Sequence, residues 1–227
     1  MIATKNTKIS YAALLGTALF ALGACGSSSS TTSSAAPIQS PPTTSPVQPP
    51  PTTPPVQPPQ TGTFEELKTL ASNMFNEQAG FSRTPQANMP VTGTATYSGA
   101  AAFRKNSEMD DALDSSDYVN LIKYNPTMVS EVQLTATFAP GFGQIQGQFY
   151  NFQSAGTGQI DGQASFSEEY NATTRTFNGA VEGGIDSSDV SGTVIGEFLG
   201  DDAEHIQGSI DLQFGGNEFV GRYTAKQ

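Results

Sequence analysis

The fold is decided by a stretch near the C-terminus, His205-Ile-Gln-Gly-Ser-Ile-Asp-Leu-Gln-Phe-Gly-Gly-Asn-Glu-Phe-Val-Gly-Arg-Tyr-Thr-Ala225. In its first half, Ile206, Ile210 and Leu212 share one parity and polar residues occupy the other. The second half repeats this alternation after Gly215-Gly216. A period of two is typical of strands with one buried face, and paired glycines are typical of turns. The stretch therefore predicts an antiparallel β-hairpin.

The same alternation extends back to Val91. It predicts eight strands, joined by short Gly-, Asn- and Asp-rich turns, at about 91–103, 128–139, 143–153, 158–168, 173–183, 190–199, 205–214 and 217–225. Short connections imply that consecutive strands are antiparallel neighbours. Eight strands also suffice to close a small barrel, which removes the exposed sheet edges. We therefore expect an all-β fold, an eight-stranded antiparallel up-and-down β-barrel.

The side chains of these strands indicate which face is buried. Positions expected to point outward include Gln144, Gln146 and Gln148, whereas a membrane-spanning barrel needs an apolar outer band. The apolar face is therefore expected inside. Glycines interrupt most strands and are expected to permit the bending of a narrow barrel; they include Gly147, Gly162, Gly179, Gly192 and Gly208. Phe149, Tyr150 and Phe152 either fill the core, which we favour, or line a cavity.

One short amphipathic helix is predicted before the barrel. Thr63 and Glu66 have the spacing of a capping box, and Gly80 is a plausible stop. The helix carries one apolar stripe, formed by Phe64, Leu67, Ala71, Met74 and Phe75. A helix with a single apolar face must dock on another element, and we expect it to flank the barrel.

The segment before this helix has the composition of a tether. Residues 26–62 contain no charged and no aromatic residue, and their second half repeats Pro-Pro-Thr-Thr and Pro-Val-Gln-Pro-Pro. Such a composition cannot bury a core and favours disorder, with extended polyproline II in the proline-rich part. At about 3.1 Å per residue it would reach on the order of 50–100 Å.

The N-terminus carries a targeting signal. Lys5 and Lys8 precede the apolar run Ile9–Leu22, which is too short to span a membrane and ends in Leu22-Gly23-Ala24-Cys25. This pattern resembles a bacterial lipoprotein signal. The resemblance implies that residues 1–24 form a signal peptide, that Cys25 is lipidated (palmitate being one of the acyl chains) and that residues 25–62 are the tether. Gly26, where inner-membrane lipoproteins carry Asp, favours the outer membrane, facing the cell surface or alternatively the periplasm.

Charge narrows the range of partners. Loss of residues 1–24 leaves eight basic against 21 acidic residues, a formal charge of −13. An acidic surface repels nucleic acid and suits a basic partner, although it also keeps an exported protein soluble. With Cys25 lipidated, residues 63–227 contain no thiol, which excludes disulfides and thiolate chemistry from the domain.

An acidic segment between the first two strands is the candidate partner-contact loop. It contains Asp110, Asp111, Asp114 and Asp117 beside Glu108, but without the spacing of a helical-hand calcium loop. The next segment runs from Tyr118 to Tyr124 and has a tyrosine at each end. It is open to three interpretations: an extra strand, packing at the barrel rim, or a partner contact.

Catalytic groups are scarce. His205 is the single histidine, and we interpret it as a surface residue beside a turn in preference to an iron or haem ligand. No Ser-His-Asp spacing and no Cys-His pair is recognisable in the domain. We therefore expect no enzyme activity, no cofactor and no metal site.

Three short motifs carry a family resemblance. They are Val91-Thr-Gly-Thr-Ala-Thr-Tyr-Ser-Gly99, Gly192-Thr-Val-Ile-Gly-Glu-Phe-Leu-Gly200 followed by Asp201-Asp-Ala-Glu-His-Ile-Gln-Gly208, and Glu218-Phe-Val-Gly-Arg-Tyr-Thr-Ala225. In this order, over residues 90–227, they resemble the barrel strands of transferrin-binding protein B-like surface lipoproteins. The family's barrel is often preceded by a handle domain, whereas residues 63–90 here hold one predicted helix.

The resemblance implies a binding protein with no catalytic role. We expect an outer-membrane lipoprotein whose barrel binds a partner protein or an iron or haem carrier, as in iron acquisition. The alternative is a structural or adhesive surface protein without a nutrient ligand.

Overall fold

Eight consecutive strands close into a barrel in the computed structural model, which describes residues 62–109 and 115–227. Each strand pairs antiparallel with its neighbours in sequence, and the last pairs with the first. The strands are β1 Gly93–Lys105, β2 Met128–Phe138, β3 Phe142–Ser154, β4 Gly158–Asn171, β5 Thr176–Ile185, β6 Ser188–Leu199, β7 His205–Phe214 and β8 Asn217–Lys226. The predicted up-and-down barrel is confirmed.

The largest difference in strand bounds is at the turn between β4 and β5. We expected a strand from residue 173, but β5 starts at Thr176. The reason is local: the side chain of Asn171 accepts hydrogen bonds from the amides of Thr173 and Thr174, at 2.8 and 3.2 Å. Asparagine that bonds two residues ahead holds the chain in a turn, so the ladder is delayed by three residues.

Glycines and aromatic residues face one another inside the barrel. Gly147 pairs with Phe166, and a Cβ at Gly147 would overlap the ring of Phe166. The same relation holds in four further cross-strand pairs, Gly143–Tyr170, Gly196–Phe177, Gly208–Tyr223 and Gly221–Phe103. An aromatic ring that lies over a neighbouring glycine covers the space that the missing side chain leaves. These glycines therefore provide room for rings, a role beyond the bending that we expected.

The rings gathered in this way form the core. Tyr170 and Phe198 lie 5.0 Å apart and edge-on, and Phe166 stacks on Phe177 at 5.7 Å. Phe149 meets the fully buried Tyr223 edge-on at 5.6 Å. Aromatic pairs at these separations contribute about 0.5–1.5 kcal/mol beyond the area they bury. The inner faces of the strands are thus joined into one cluster of buried side chains.

A bulge in β3 directs its three aromatic side chains to different sides of the barrel wall. Asn151 has φ of 50° and lies where the pairing of β3 with β2 shifts, so that Asn151 and Phe152 of β3 lie opposite the single residue Ser130 of β2. An extra residue in one strand redirects the side chains around it. Phe149 and Phe152 are fully buried in the core, as we favoured, whereas Tyr150 lines a cleft on the outer side of the barrel.

The predicted helix is confirmed as α1, Phe64–Gln78. The Glu66 carboxylate accepts a hydrogen bond from the Thr63 amide at 2.9 Å, which satisfies a donor that the helix itself leaves free. The helix packs on the outside of β1, β2 and β8. Its contact residues Leu67 and Ala71 join a second apolar cluster that includes Ala100, Ala102, Ile122 and Val129. The small alanines of β1 allow the helix to approach the sheet closely.

A second helix lies in the connection between β1 and β2. This helix, α2, spans Ser115–Tyr124 and packs against α1, β1 and β8. Its Ile122 is buried at 2% exposure in the second cluster, between the two helices and the strand. The extra strand considered for residues 118–124 is therefore wrong. Neither helix, among the residues described, is long and apolar enough to cross a membrane.

The glycine–ring pairing predicts a specific sensitivity. We expect Gly147→Ala to lower the free energy of unfolding by about 1–3 kcal/mol, because the added methyl group displaces the Phe166 ring in a filled core. The matched control is Gly156→Ala, where a Cβ would meet no atom within 4 Å. Urea unfolding of both variants measures the difference, and equal stabilities would contradict this account of the core.

Candidate functional site

The predicted partner-contact loop lies only partly within the described structure. Cys25, Asp110, Asp111 and Asp114 lie outside the described residues. Asp117 is exposed in the first turn of α2. Of the four aspartates, Asp117 therefore lies within the described structure. The contact of this loop with a partner stays a prediction.

Both tyrosines of α2 serve packing. Tyr118 lies against the second apolar cluster, and burial, with smaller effects from Asp211 and Glu218, raises the pKa of its hydroxyl. Tyr124 is half exposed, and its hydroxyl donates to Asn76 Oδ1 of α1 at 3.2 Å. These contacts support the interpretation that the two tyrosines pack at the barrel rim. The exposed face of Tyr124 is accessible, and its contact with a partner stays a prediction.

His205 is not the surface residue we expected. It is 7% exposed, its ring stacks on Phe81 at 4.4 Å between centroids, and Nδ1 lies 3.4 Å from Nε2 of Gln78. The segment after α1 covers the start of β7, which sequence periodicity could not show. Within residues 62–109 and 115–227, no three His, Cys, Asp or Glu side chains are grouped to hold a metal ion.

A cleft of about 480 Å³ lies beside the contact of α1 with the barrel wall, and its apolar lining includes Leu67, Leu70 and Met74. Its polar end is a hydrogen-bonded cluster at the start of the domain. Glu131 Oε1 accepts from Asn151 Nδ2 at 2.7 Å and from the amide of Gly62 at 3.3 Å, while Asn151 Nδ2 also donates to Gly62 O at 3.0 Å. This cluster fixes the point at which the chain enters the domain.

Charge divides the barrel into two unlike sides. Residues 128–214, from β2 to the end of β7, contain 12 acidic residues and one basic residue, Arg175. The other seven basic residues of the domain lie in α1, α2, β1, β8 and the segments next to them. The helices cover β1, β8 and the first part of β2, near Val129. We call the outer face of β3–β5 and of the rest of β2 the bare wall; these strand segments carry four acidic residues, Asp161, Glu168, Glu169 and Glu182, and no basic residue.

A groove of about 560 Å³ crosses the bare wall. Most of its lining side chains are uncharged and polar, namely Gln133, Thr135, Gln146, Gln148, Ser165 and Ser167. The two charged residues that line it are Glu168 and Glu182. The groove therefore offers hydrogen-bonding groups and negative charge, without a basic side chain.

The floor of the groove is a break in the β-sheet. Pairing of β4 with β5 stops at Ser165–Glu182 and resumes at Asn171–Thr176 in the same register. Between these pairs, residues 166–170 are not paired with residues 177–181, although all ten are described. We call this opening the seam.

Glu168 occupies the seam. It pairs with the buried Ile145 and shares a parity with Phe166 and Tyr170, so the strand directs it inward. An unpaired carboxylate is costly in an apolar interior. Its carboxylate instead lies against Gly179, and its Oε1 accepts from the amide of Ala180 at 3.1 Å.

We did not single out Glu168 from the sequence. The available signal was a charged residue at a core position of a strand, in Ala164-Ser-Phe-Ser-Glu-Glu-Tyr170. A Cβ at Gly179 would overlap the Glu168 carboxylate in its present position, so the glycine leaves room for this side chain.

The barrel matches a known protein family. Residues 89–227 match the family model described as the C-lobe and N-lobe beta barrels of Tf-binding protein B. A search of curated proteins finds no match.

Solved structures similar to this chain include mutant transferrin-binding protein B proteins. One from Haemophilus parasuis Hp5 is 18% identical with a TM-score of 0.41, over 64% of this chain and 28% of that one. One from Actinobacillus pleuropneumoniae H49 is 16% identical with a TM-score of 0.38, over 64% and 66%. A structure described as a surface lipoprotein is 17% identical with a TM-score of 0.39, over 64% and 65%. The chain thus spans little more than a quarter of the first of these proteins.

The buried tyrosines predict a loss of stability in alkali. Burial raises the pKa of Tyr97 and of Tyr150 from 10.0 to about 12, with the Glu131 carboxylate adding to the effect at Tyr150. Because the folded state holds these protons more tightly than the unfolded state, their contribution is complete below pH 10 and is lost between pH 10 and 12. The free energy of unfolding should therefore fall as the pH rises through this interval.

Urea unfolding at several pH values, with tyrosinate absorbance as a second signal, checks this expectation. Tyr97→Phe should reduce the slope of stability against pH, since it removes one titrating hydroxyl. It should also lower stability at neutral pH, because the Tyr97 hydroxyl donates to Ala203 O at 2.7 Å. An unchanged slope in the variant would contradict the assignment.

Proposed function

Because this chain belongs to the family of the C-lobe and N-lobe barrels of transferrin-binding protein B, we propose that it is an outer-membrane lipoprotein whose barrel binds a partner protein, without catalysis. An iron or haem carrier is the partner class we favour. The alternative is a structural or adhesive surface protein.

The observation that carries the proposal is the filled barrel. Aromatic rings occupy the space over the inward-facing glycines, and the inner faces form one buried cluster. A partner therefore has to meet the outer surface or the ends of the barrel. The outer surface offers the bare wall, whose strands carry acidic and no basic residues. Such a surface favours association with a basic partner and speeds the encounter.

The proposed location rests on the N-terminal sequence. The signal Leu22-Gly23-Ala24-Cys25 and the uncharged segment 26–62 suit a lipid anchor followed by a spacer. A domain held away from the bilayer on such a spacer can reach a large partner. Display on the cell surface fits this arrangement, and a periplasm-facing domain is the alternative.

Capture of candidate carriers tests the binding function. The lipidated mature protein, held in detergent on beads, is presented with haem, haemoglobin and transferrins, and with an acidic serum protein as control. We expect retention of at least one carrier at low salt and a clear loss of it at high salt, since charge drives the contact. If none of these carriers is retained, the carrier proposal fails and the structural or adhesive alternative is favoured.

Labelling with fatty acid tests the anchor. We expect Cys25→Ala to abolish incorporation of labelled palmitate and to release the protein from the membrane fraction, because the thiol is the proposed acceptor. Incorporation that persists in the variant would contradict the anchor. Protease treatment of whole cells separates the orientations, since a surface domain is cleaved before the outer membrane is ruptured and a periplasmic one only afterwards.

A further inference from the structure

The seam combines a carboxylate with backbone groups that the sheet leaves unpaired. In an antiparallel ladder each strand bonds to its neighbour through its own amides and carbonyls. Over residues 166–170 and 177–181 this pairing is absent, and the Glu168 side chain supplies one acceptor, for the Ala180 amide. Carbonyl groups of two strand segments therefore border the same opening as the carboxylate.

The charge of Glu168 has no basic partner within the described chain. The four ion pairs formed among residues 62–109 and 115–227 include neither Glu168 nor Glu182. The groove above the seam is lined by no Lys or Arg. Since Glu168 Oε1 is engaged by an uncharged amide, the negative charge at this point is not neutralised by the fold.

The side chains next to the seam are small and leave space for a ligand group. Ser165, Ser167 and Ala180 are small, and they flank the seam on the outer face. Gln146 and Gln148 stand on the neighbouring strand, and Gln148 Nε2 donates to Gln163 Oε1 at 2.9 Å, which holds that amide in place. Polar side chains thus surround Glu168 in the groove, with Phe166 as its apolar neighbour.

We propose that the seam binds an arginine side chain presented by an extended segment of a partner protein. A guanidinium carries five N–H donors in a planar fork and no acceptor, so it can serve the Glu168 carboxylate and nearby strand carbonyls together. The unneutralised charge, the unpaired carbonyls and the acidic bare wall around them all favour such a group. The inference rests on the proposed function only in taking the ligand to be part of a protein.

A peptide titration followed by NMR tests this proposal. The probe is the extended peptide acetyl-Gly-Ser-Arg-Ser-Gly-amide, added to the ¹⁵N-labelled mature chain in detergent micelles. The comparison peptide carries citrulline in place of arginine, which has the same shape without the charge. We expect the arginine peptide to shift the amide signals of Gly179 and Ala180, because the Ala180 amide donates to Glu168, and the citrulline peptide to leave them in place.

Two matched variants identify the carboxylate. Glu168→Gln keeps an acceptor for the Ala180 amide but removes the charge, and we expect it to weaken binding of the arginine peptide about tenfold or more. Glu169→Gln makes the same change at the exposed neighbouring position, outside the groove lining, and should bind like the unaltered protein. Equal responses to the two peptides, or equal binding by the two variants, would overturn the proposal.

The outcome is separable from that of the proposed function. If a carrier is captured and Glu168→Gln captures it equally well, the seam proposal fails while the binding function stands. If the arginine peptide binds at the seam but no carrier is captured, the seam proposal stands and the carrier proposal fails.

Discussion

The packing of aromatic rings over glycines is the constraint on which the structure depends. A closed barrel of eight strands has a narrow interior, and a facing glycine leaves room for a large ring. Pairs such as Gly147 with Phe166 and Gly208 with Tyr223 satisfy this requirement across neighbouring strands. These rings and their apolar neighbours form one buried cluster in the interior. On the proposed function, a partner therefore meets the outer surface or the ends of the barrel.

Two helices cover one side of the outer barrel surface and leave the other side exposed. The apolar faces of α1 and α2 dock over β1 and β8, where small residues such as Ala100 and Ala102 admit them. Most of the domain's basic residues lie in α1, α2, β1 and β8; Arg83, which pairs with Glu197 of β6, and Arg175 lie elsewhere. The bare wall is uncovered, and its strands carry only acidic charges. Packing and charge together therefore leave one side of the barrel available for a basic partner, and the seam lies within it.

Features of the fold that depend on local sequence pattern could be predicted from the sequence. The eight strands follow from alternation and turn residues, and the start of α1 follows from Thr63 and Glu66. The sequence was insufficient for contacts between distant segments. The burial of His205 depends on Phe81 and Gln78, more than 120 residues earlier in the chain. Likewise, Glu168 could be recognised only after the register placed it opposite Gly179, inside an opening that no periodicity reveals.

On the proposals above, the filled barrel binds its partner on the bare wall, at the seam. Hydrogen–deuterium exchange of the mature protein, with and without a captured carrier, tests this most directly because unpaired strand amides exchange fast until they are covered. We predict that the carrier slows exchange in residues 165–182 and leaves α1 and α2 unchanged. Protection confined to the two helices, with exchange in residues 165–182 unaltered, would contradict it.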